Sequence, residues 1–137
     1  MQHNPKAYTK SKTLIEQAAY SSTQTGTGVT VDGFRFAKVI VTVGAVASGA
    51  TMDVTLEESD SSGSGYAAIT GAAFTQITNS NTGVNRVGEI FLQQRKKYLR
   101  AVATYGGSGT AVVGVELELS GPKTGSKCDD SYDFQLG

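Results

Sequence analysis

The sequence predicts an all-β fold: a single antiparallel β-sandwich or jelly-roll-like domain of about eight strands, with extended N- and C-terminal arms. Apolar residues alternate with polar ones in several short runs, as at Met52, Val54 and Leu56, and this period is typical of half-buried strands. Segments rich in Gly, Ser, Thr and Asn separate the runs, and 17 glycines supply the backbone freedom that tight turns demand. No helical pattern lies between the runs, which excludes a parallel βαβ arrangement.

The chain of 137 residues is long enough for one domain with a real core. Residues 1–12 are polar and show no periodicity, so we expect a flexible N-terminal arm there. The β-sandwich domain is predicted for residues 13–122. Residues 123–137 depart from the strand pattern and are expected to form an extended C-terminal tail.

The strands of the first half are justified in order. The segment Thr13–Tyr20 suits a strand or one to two helical turns, and we favour a strand because it is short for a helix. After a polar linker, Asp32-Gly33 predicts a turn. Phe34–Val43 is apolar on both faces after Val39, which is typical of a central strand. Ala50–Glu58 alternates cleanly, with one face apolar and the other polar.

Shorter runs continue the pattern in the second half. Glycine-containing turns separate most of them, Arg95–Lys97 forms a charged turn, and Gly121-Pro122 ends the last one. The predicted strands are, in order, Tyr66–Ile69, Phe74–Ile77, Val87–Leu92, Tyr98–Tyr105 and Thr110–Leu119.

The residues that catalysis usually requires are scarce in this chain. His3 is the single histidine and lies in the predicted arm, so a fixed Ser-His-Asp or Cys-His arrangement is excluded. With one cysteine, Cys128, a zinc site of the usual ligands cannot be assembled within one chain. Most carboxylates fall on outward strand positions or in loops, and Gly106–Gly109 has no helix behind it to cradle a phosphate. We therefore expect no enzyme activity, no metal and no cofactor.

Charge and hydropathy limit the classes of partner. The formal net charge is zero, with 12 basic and 12 acidic residues, whereas nucleic-acid binders usually carry a basic excess. The basic cluster Arg95–Arg100 is interpreted as a solvated strand start or a partner-facing rim. No apolar run approaches the roughly 20 residues of a membrane span, and no secretion signal is visible. These features predict a soluble protein, made in the cytoplasm, that binds neither nucleic acid nor membrane.

Three segments resemble a family of small tailed-phage and prophage virion structural proteins. They are Ser22–Val29 with Asp32-Gly33-Phe34, Met52–Asp60, and Gly88-Glu89-Ile90 with Lys97–Val102. The resemblance covers about residues 20–120 and implies a capsid decoration or cement protein that binds the major capsid protein. It also implies a homo-oligomer, with a trimer as one form, on the virion surface after synthesis in the host cytoplasm.

Two other functions stay open at this point. A head–tail connector or tail component fits the same resemblance. A carbohydrate-binding module of a host-recognition device is the other, because tyrosines stack on sugars; the candidates are Tyr8, Tyr20, Tyr66 and Tyr105.

The candidate contact residues lie at the two ends of the chain, outside the strand pattern. In the N-terminal arm they are Tyr8, Lys10 and Lys12, and in the tail they are Cys128, Tyr132 and Phe134. Cys128 is followed by two aspartates, which favours an incidental free thiol over a reactive one, with an intermolecular link as the alternative. Tyr132, Phe134 and Leu136 alternate, so the tail is interpreted either as disordered or as an arm that adds to the sheet edge of a neighbouring subunit.

Overall fold

The computed structural model describes residues 9–122, which form two antiparallel sheets with one core between them. Of the predicted contact residues, Tyr8, Cys128, Tyr132 and Phe134 lie outside the described residues. A single 3-10 turn, Asn79–Asn81, interrupts the β structure of this part of the chain. The strands are β1 Thr9–Tyr20, β2 Gln24–Thr25, β3 Val29–Thr30, β4 Phe34–Val46, β5 Ala50–Ser59, β6 Ala67–Ala73, β7 Arg86–Phe91, β8 Tyr98–Gly107 and β9 Ala111–Pro122.

The strand pairing is that of a jelly roll. One sheet has the order β1-β9-β4-β7 and the other β2-β8-β5-β6, with β3 also paired to β8. Because β2 and β3 both pair with β8, they act as one interrupted strand. A jelly roll can be described as one long antiparallel hairpin that folds into two sheets. Its other strand pairs here are β1 with β9, β4 with β7 and β5 with β6. The predicted all-β sandwich is confirmed, and eight effective strands in this order are a double-sheet jelly roll.

The core lies between the sheets and is built from the predicted alternation. On β5, Met52, Val54 and Leu56 are buried, and on β8 the same is true of Leu99, Ala101 and Ala103. Strands β4 and β9 lie side by side in the facing sheet and direct their own buried valines and leucines inward. Aliphatic side chains on two inner faces are the usual way for a sandwich to remove apolar surface from water.

Two predicted boundaries differ from the structure. Strand β1 begins at Thr9, so residues 9–12 belong to the sheet instead of the arm, because β9 supplies their backbone hydrogen-bonding partners. Residues 66–77 do not form two strands around Gly71. Gly71 lies inside the single strand β6 with a φ of 85°, and Ile77 forms only an isolated bridge to Met52.

Candidate interaction surface

The two arginines of the basic cluster form ion pairs with glutamates of β5. The Nη2 and Nε atoms of Arg100 lie 2.7 and 2.8 Å from the Oε1 atom of Glu57 on the neighbouring strand. Arg95 approaches Glu58 at 3.5 Å, and the backbone N–H of Lys96 donates to the same carboxylate. Acidic partners on β5 thus occupy the arginines, and the cluster is not an arrangement built to receive phosphate.

Three of the four tyrosines considered for sugar stacking are engaged in contacts within the fold. The guanidinium carbon of Arg100 lies 4.1 Å from the centre of the Tyr66 ring, whose hydroxyl donates to the Ser62 carbonyl at 2.8 Å. The hydroxyl of Tyr105 donates to the Gly109 carbonyl at 2.6 Å. Tyr20 donates to the Glu16 carbonyl. The hydroxyl groups of these tyrosines hold loops and strand ends in place through hydrogen bonds to backbone carbonyls. The three rings therefore do not form a shared sugar-binding platform.

Among residues 9–122 the exposed large apolar side chains lie on the neighbouring strands β4 and β7 or just before β7. They are Phe36 on β4, Val87 and Phe91 on β7, and Val84 just before β7. Phe91 is 74% exposed, and its ring meets that of Phe36 edge to face with 5.3 Å between centroids. Clustered exposed apolar residues mark interaction sites more often than scattered ones do. We call Phe36, Val87 and Phe91 the β4–β7 corner.

The register of β4 and β7 shows how the outer face of this corner is arranged. Phe36 is opposite Phe91, Lys38 is opposite Glu89, and Ile40 is opposite Val87. Directly opposite residues of an antiparallel pair project from the same face. The outer face therefore presents two apolar rows with one charged row between them.

A groove runs along the side of the sandwich between β6 and β7. Two adjoining cavities of about 160 and 380 Å³ share Gly71, Ala72, Glu89 and Ile90 in their walls. Leu56 and Phe74 line the smaller cavity, and Gln93 and Arg95 line the larger. The groove is open because β6 and β7 are edge strands of different sheets and do not pair with each other.

The predicted contact residues of the N-terminal segment lie at the opposite edge. Lys10 is opposite Leu119 and Lys12 is opposite Leu117, so both lysines project from the core-facing side of edge strand β1. Neither approaches the β4–β7 corner through this sheet, because β9 and β4 lie between β1 and β7. Sequence reasoning did not single out Phe36, Val87 and Phe91 as exposed apolar side chains. Two features of the sequence pointed to these exposed side chains. Phe34–Val43 is apolar on both faces, and Phe91 falls on the other face of its strand from Ile90 and Leu92.

Residues 9–122 hold neither a cluster of metal-ligand side chains nor a membrane-spanning helix. Residues 9–122 contain no cluster of three or more His, Cys, Asp or Glu side chains able to hold a metal ion. Within the same range no helix is long and apolar enough to cross a membrane.

Comparisons with known proteins find similarity at the level of structure. No protein-family model matches the chain, and no curated protein sequence matches it. The PBSX exported protein XepA superposes with a TM-score of 0.59 at 15% identity, over 93% of this chain and 43% of that one. A structure of infectious bursal disease virus, Gx strain, gives 0.55 at 12% identity, over 88% and 34%. The SPBc2 prophage-derived protein YomS gives 0.49 at 18% identity, over 81% and 91%.

These similarities concern the fold. The chain spans less than half of the XepA chain and about a third of the viral chain that it matches. The β-sandwich of residues 9–122 is thus an architecture shared with a prophage exported protein and with a virus structure. Jelly rolls also occur in lectins and cupins, so function has to be argued from the surface.

Proposed function

We propose that this protein is a structural component of a phage virion, a decoration or cement protein that binds and stabilises the capsid surface. The observation that carries the proposal is the β4–β7 corner, where apolar side chains stand exposed on the outer face of a regular sheet. Support comes from the fold shared with a virus structure and a prophage protein, and from the resemblance of residues 20–120 to phage virion proteins. The carbohydrate-binding alternative is disfavoured because Tyr20, Tyr66 and Tyr105 serve the fold.

On a capsid lattice each single contact between this protein and the capsid needs only a low affinity, because many contacts act together. A rigid sandwich presents the β4–β7 corner to the major capsid protein, and the segment before β1 supplies a second contact. When copies associate as homo-oligomers, with trimers at three-fold positions as one form, the weak contacts add through multivalency. The zero net charge gives weak self-repulsion and is compatible with dense packing on a surface.

Replacing Phe91 tests the proposal directly. Burying one phenylalanine at an interface contributes about 1.5–3 kcal/mol, so Phe91→Ser is expected to weaken binding to capsids lacking this protein by about 10- to 100-fold. Co-sedimentation over a range of concentrations measures this affinity. The matched control is Thr104→Ser on the exposed face of the other sheet, which we expect to bind like the wild type.

Two results would contradict this assignment. The first is unchanged capsid binding by Phe91→Ser together with an unchanged thermal midpoint. The second is a copy number in purified particles, measured by quantitative mass spectrometry, that matches a single ring of subunits. That number would favour the head–tail connector, whereas a decoration protein is expected at a number comparable with that of capsid subunits.

A further inference from the structure

The edges of the two sheets differ in how well they are protected from pairing with another chain. Within residues 9–122 the edges are formed by β1, by β7, by β6 and by the two pieces β2 and β3. The pairing of β1 contains two register shifts, that of β6 contains one, and β2 and β3 have two residues each. Bulges and short strands are devices that keep an edge from accepting a further strand. Strand β7 lacks both devices, because it pairs with β4 over six residues without a shift.

The backbone groups of β7 that face the free edge follow from its pairing with β4. The N–H of Leu92 donates to the Arg35 carbonyl at 2.8 Å, and this pair continues the β4–β7 register. Hydrogen-bonded pairs alternate with non-bonded pairs in an antiparallel ladder, so the residues two, four and six positions before Leu92 also bond to β4. Val87, Glu89 and Phe91 therefore direct their N–H and C=O groups away from β4, toward the free edge.

The same three residues carry the exposed side chains of β7. Val87 is 56% exposed and Phe91 is 74% exposed, and Glu89 between them is exposed as well. A strand placed beside β7 would form hydrogen bonds with these residues and would cover part of two apolar side chains. A regular edge with exposed apolar residues is a site at which chains associate.

The β7 strand of a second copy fits this edge on the outer face of the sheet. A two-fold axis perpendicular to the sheet pairs the two β7 strands antiparallel and keeps outer face beside outer face. With this axis at Glu89, Val87 of each copy is opposite the partner's Phe91. Because Phe36 is opposite Phe91 and Ile40 is opposite Val87 within each copy, each apolar row continues across the contact. Directly opposite side chains on one face of an antiparallel pair contact one another.

The inner faces of the two strands are complementary in size in the same register. Gly88 of each copy is opposite the partner's Ile90, and Gly88 has no side chain that would compete for the space. The groove beside Gly88 is lined by Leu56 and Phe74. Ile90 is only partly buried in the single chain. An isoleucine from a second copy would therefore meet an apolar wall and lose further exposed surface.

One contact of this register is unfavourable. Glu89 is opposite the partner's Glu89, and like charges directly opposite one another destabilise a strand pair. Lys38 is opposite Glu89 within each copy, so each carboxylate also has a cation on its other side. An axis at Gly88 would separate the glutamates, but it would place Val87 against the partner's Glu89 and Gly88 against itself. Both apolar matches would then be lost, which favours the axis at Glu89.

We propose that two copies of this chain associate through their β7 strands, from Val87 to Phe91, in an antiparallel two-fold register centred on Glu89. The two four-stranded sheets then form one continuous sheet of eight strands. The zero net charge of the chain leaves little long-range repulsion between the copies. The contact goes beyond the proposed virion role and does not rest on it, and it joins the outer faces of two β4–β7 corners into one surface.

A single cysteine at the axis tests the register. In a Cys128→Ser background, Glu89→Cys places two thiols opposite one another with about 5.5 Å between their Cα atoms, which suits a disulfide. Lys38→Cys is the matched control, because it is exposed in the same row of the sheet. Its two copies would lie three strand spacings apart, about 15 Å. We expect disulfide-linked dimers of Glu89→Cys to form at least about tenfold faster on non-reducing gels.

A proline at the same position tests whether backbone pairing holds the copies together. The N–H of Glu89 faces the free edge, so Glu89→Pro removes a donor to the partner without removing one from the β4–β7 ladder. Glu89→Thr is the matched control, because it removes the same charge but keeps the N–H. By sedimentation velocity we expect Glu89→Thr to dimerise about two- to fivefold more tightly than the wild type. Glu89→Pro should dimerise at least about tenfold more weakly than Glu89→Thr.

Three outcomes would overturn the proposal. Equal cross-linking rates of Glu89→Cys and Lys38→Cys would exclude the register, and this test stands even if Glu89→Pro fails to fold. Equal dimerisation of folded Glu89→Pro and Glu89→Thr would show that the backbone edge is not the contact. A wild type and Glu89→Thr that both stay monomeric up to about 1 mM would show that β7 does not pair. All three measurements use the free protein, so loss of capsid binding by an intact dimer would contradict the virion role alone.

Discussion

At the scale of single residues, Gly26 shows why the chain is interrupted between β2 and β3. Its backbone N–H donates to the Ala101 carbonyl at 2.8 Å, which holds it against β8. A Cβ atom at this position would lie 2.2 Å from the carbonyl oxygen of Leu14, an atom of the backbone that cannot rotate away. Gly26 therefore lets the two sheets approach closely where the chain crosses from β1 to the β2–β3 segment that pairs with β8.

Replacing Gly26 tests this close approach. We expect Gly26→Ala to lower the free energy of unfolding by about 1–3 kcal/mol, because the backbone of β1 must shift to admit the methyl group. Gly63→Ala is the matched control, since a Cβ there would meet nothing within 4 Å. Urea denaturation of both variants measures the difference. Equal stabilities would mean that the contact with Leu14 relaxes without cost.

At the scale of elements, β1 shows how an edge strand is protected. A register shift between Thr13 and Ile15 lets the consecutive residues Leu14 and Ile15 both be buried, which regular alternation forbids. Lys10 and Lys12 then occupy core-facing positions where the strand passes the rim of the sandwich. These lysines, predicted from the sequence as partner contacts, stand where charge opposes pairing with another sheet.

Removing the two lysines should expose this edge. The double variant Lys10→Thr/Lys12→Thr is expected to aggregate several-fold faster than the wild type, because threonine favours strand pairing and carries no charge. Light scattering at constant temperature and concentration measures the rate. Lys38→Thr/Lys97→Thr removes the same charge away from the β1 edge and is expected to behave like the wild type. If both variants aggregated alike, net charge and not edge protection would be the cause.

At the scale of the whole molecule, the jelly roll joins residues that are far apart in sequence. The pairing of Thr9 with Ser120 closes nearly the whole described chain, and β8, in the second half, pairs with β2 and β5 in the first half. Closing such long loops costs conformational entropy, and this cost arises before the stabilising contacts between the strands have formed. Non-local pairing on this scale is typical of proteins that fold slowly.

The expected consequence is a slow folding reaction. We predict refolding with a relaxation time of milliseconds to seconds after dilution from denaturant, in the range of all-β sandwiches. Stopped-flow fluorescence of the tyrosines measures it. Refolding complete within the dead time of mixing would show that local hairpins, such as β8–β9, dominate the barrier instead.

The success of the sequence-based prediction varied with the kind of strand. It was good for β5 and β8, because one face of each is buried along most of its length and the apolar residues alternate regularly there. It failed for β6, where Ala67–Ala73 has little apolar pattern and pairing with β5 alone makes it a strand. It placed the start of β1 too late, because residues 9–12 are polar and their strand conformation comes from pairing with β9.

The sequence by itself determined the all-β class, the inward faces of the main strands and the scarcity of catalytic groups, because these follow from local periodicity and residue type. Only the tertiary structure decided the jelly-roll order, the pairing of Phe36 with Phe91 and the groove between β6 and β7. Periodicity reports which face of a strand a side chain occupies, but not what covers that face. Which strands become edges is decided by pairing between distant segments, and the β4–β7 corner is exposed because its side chains project from the face of the sheet that points away from the core.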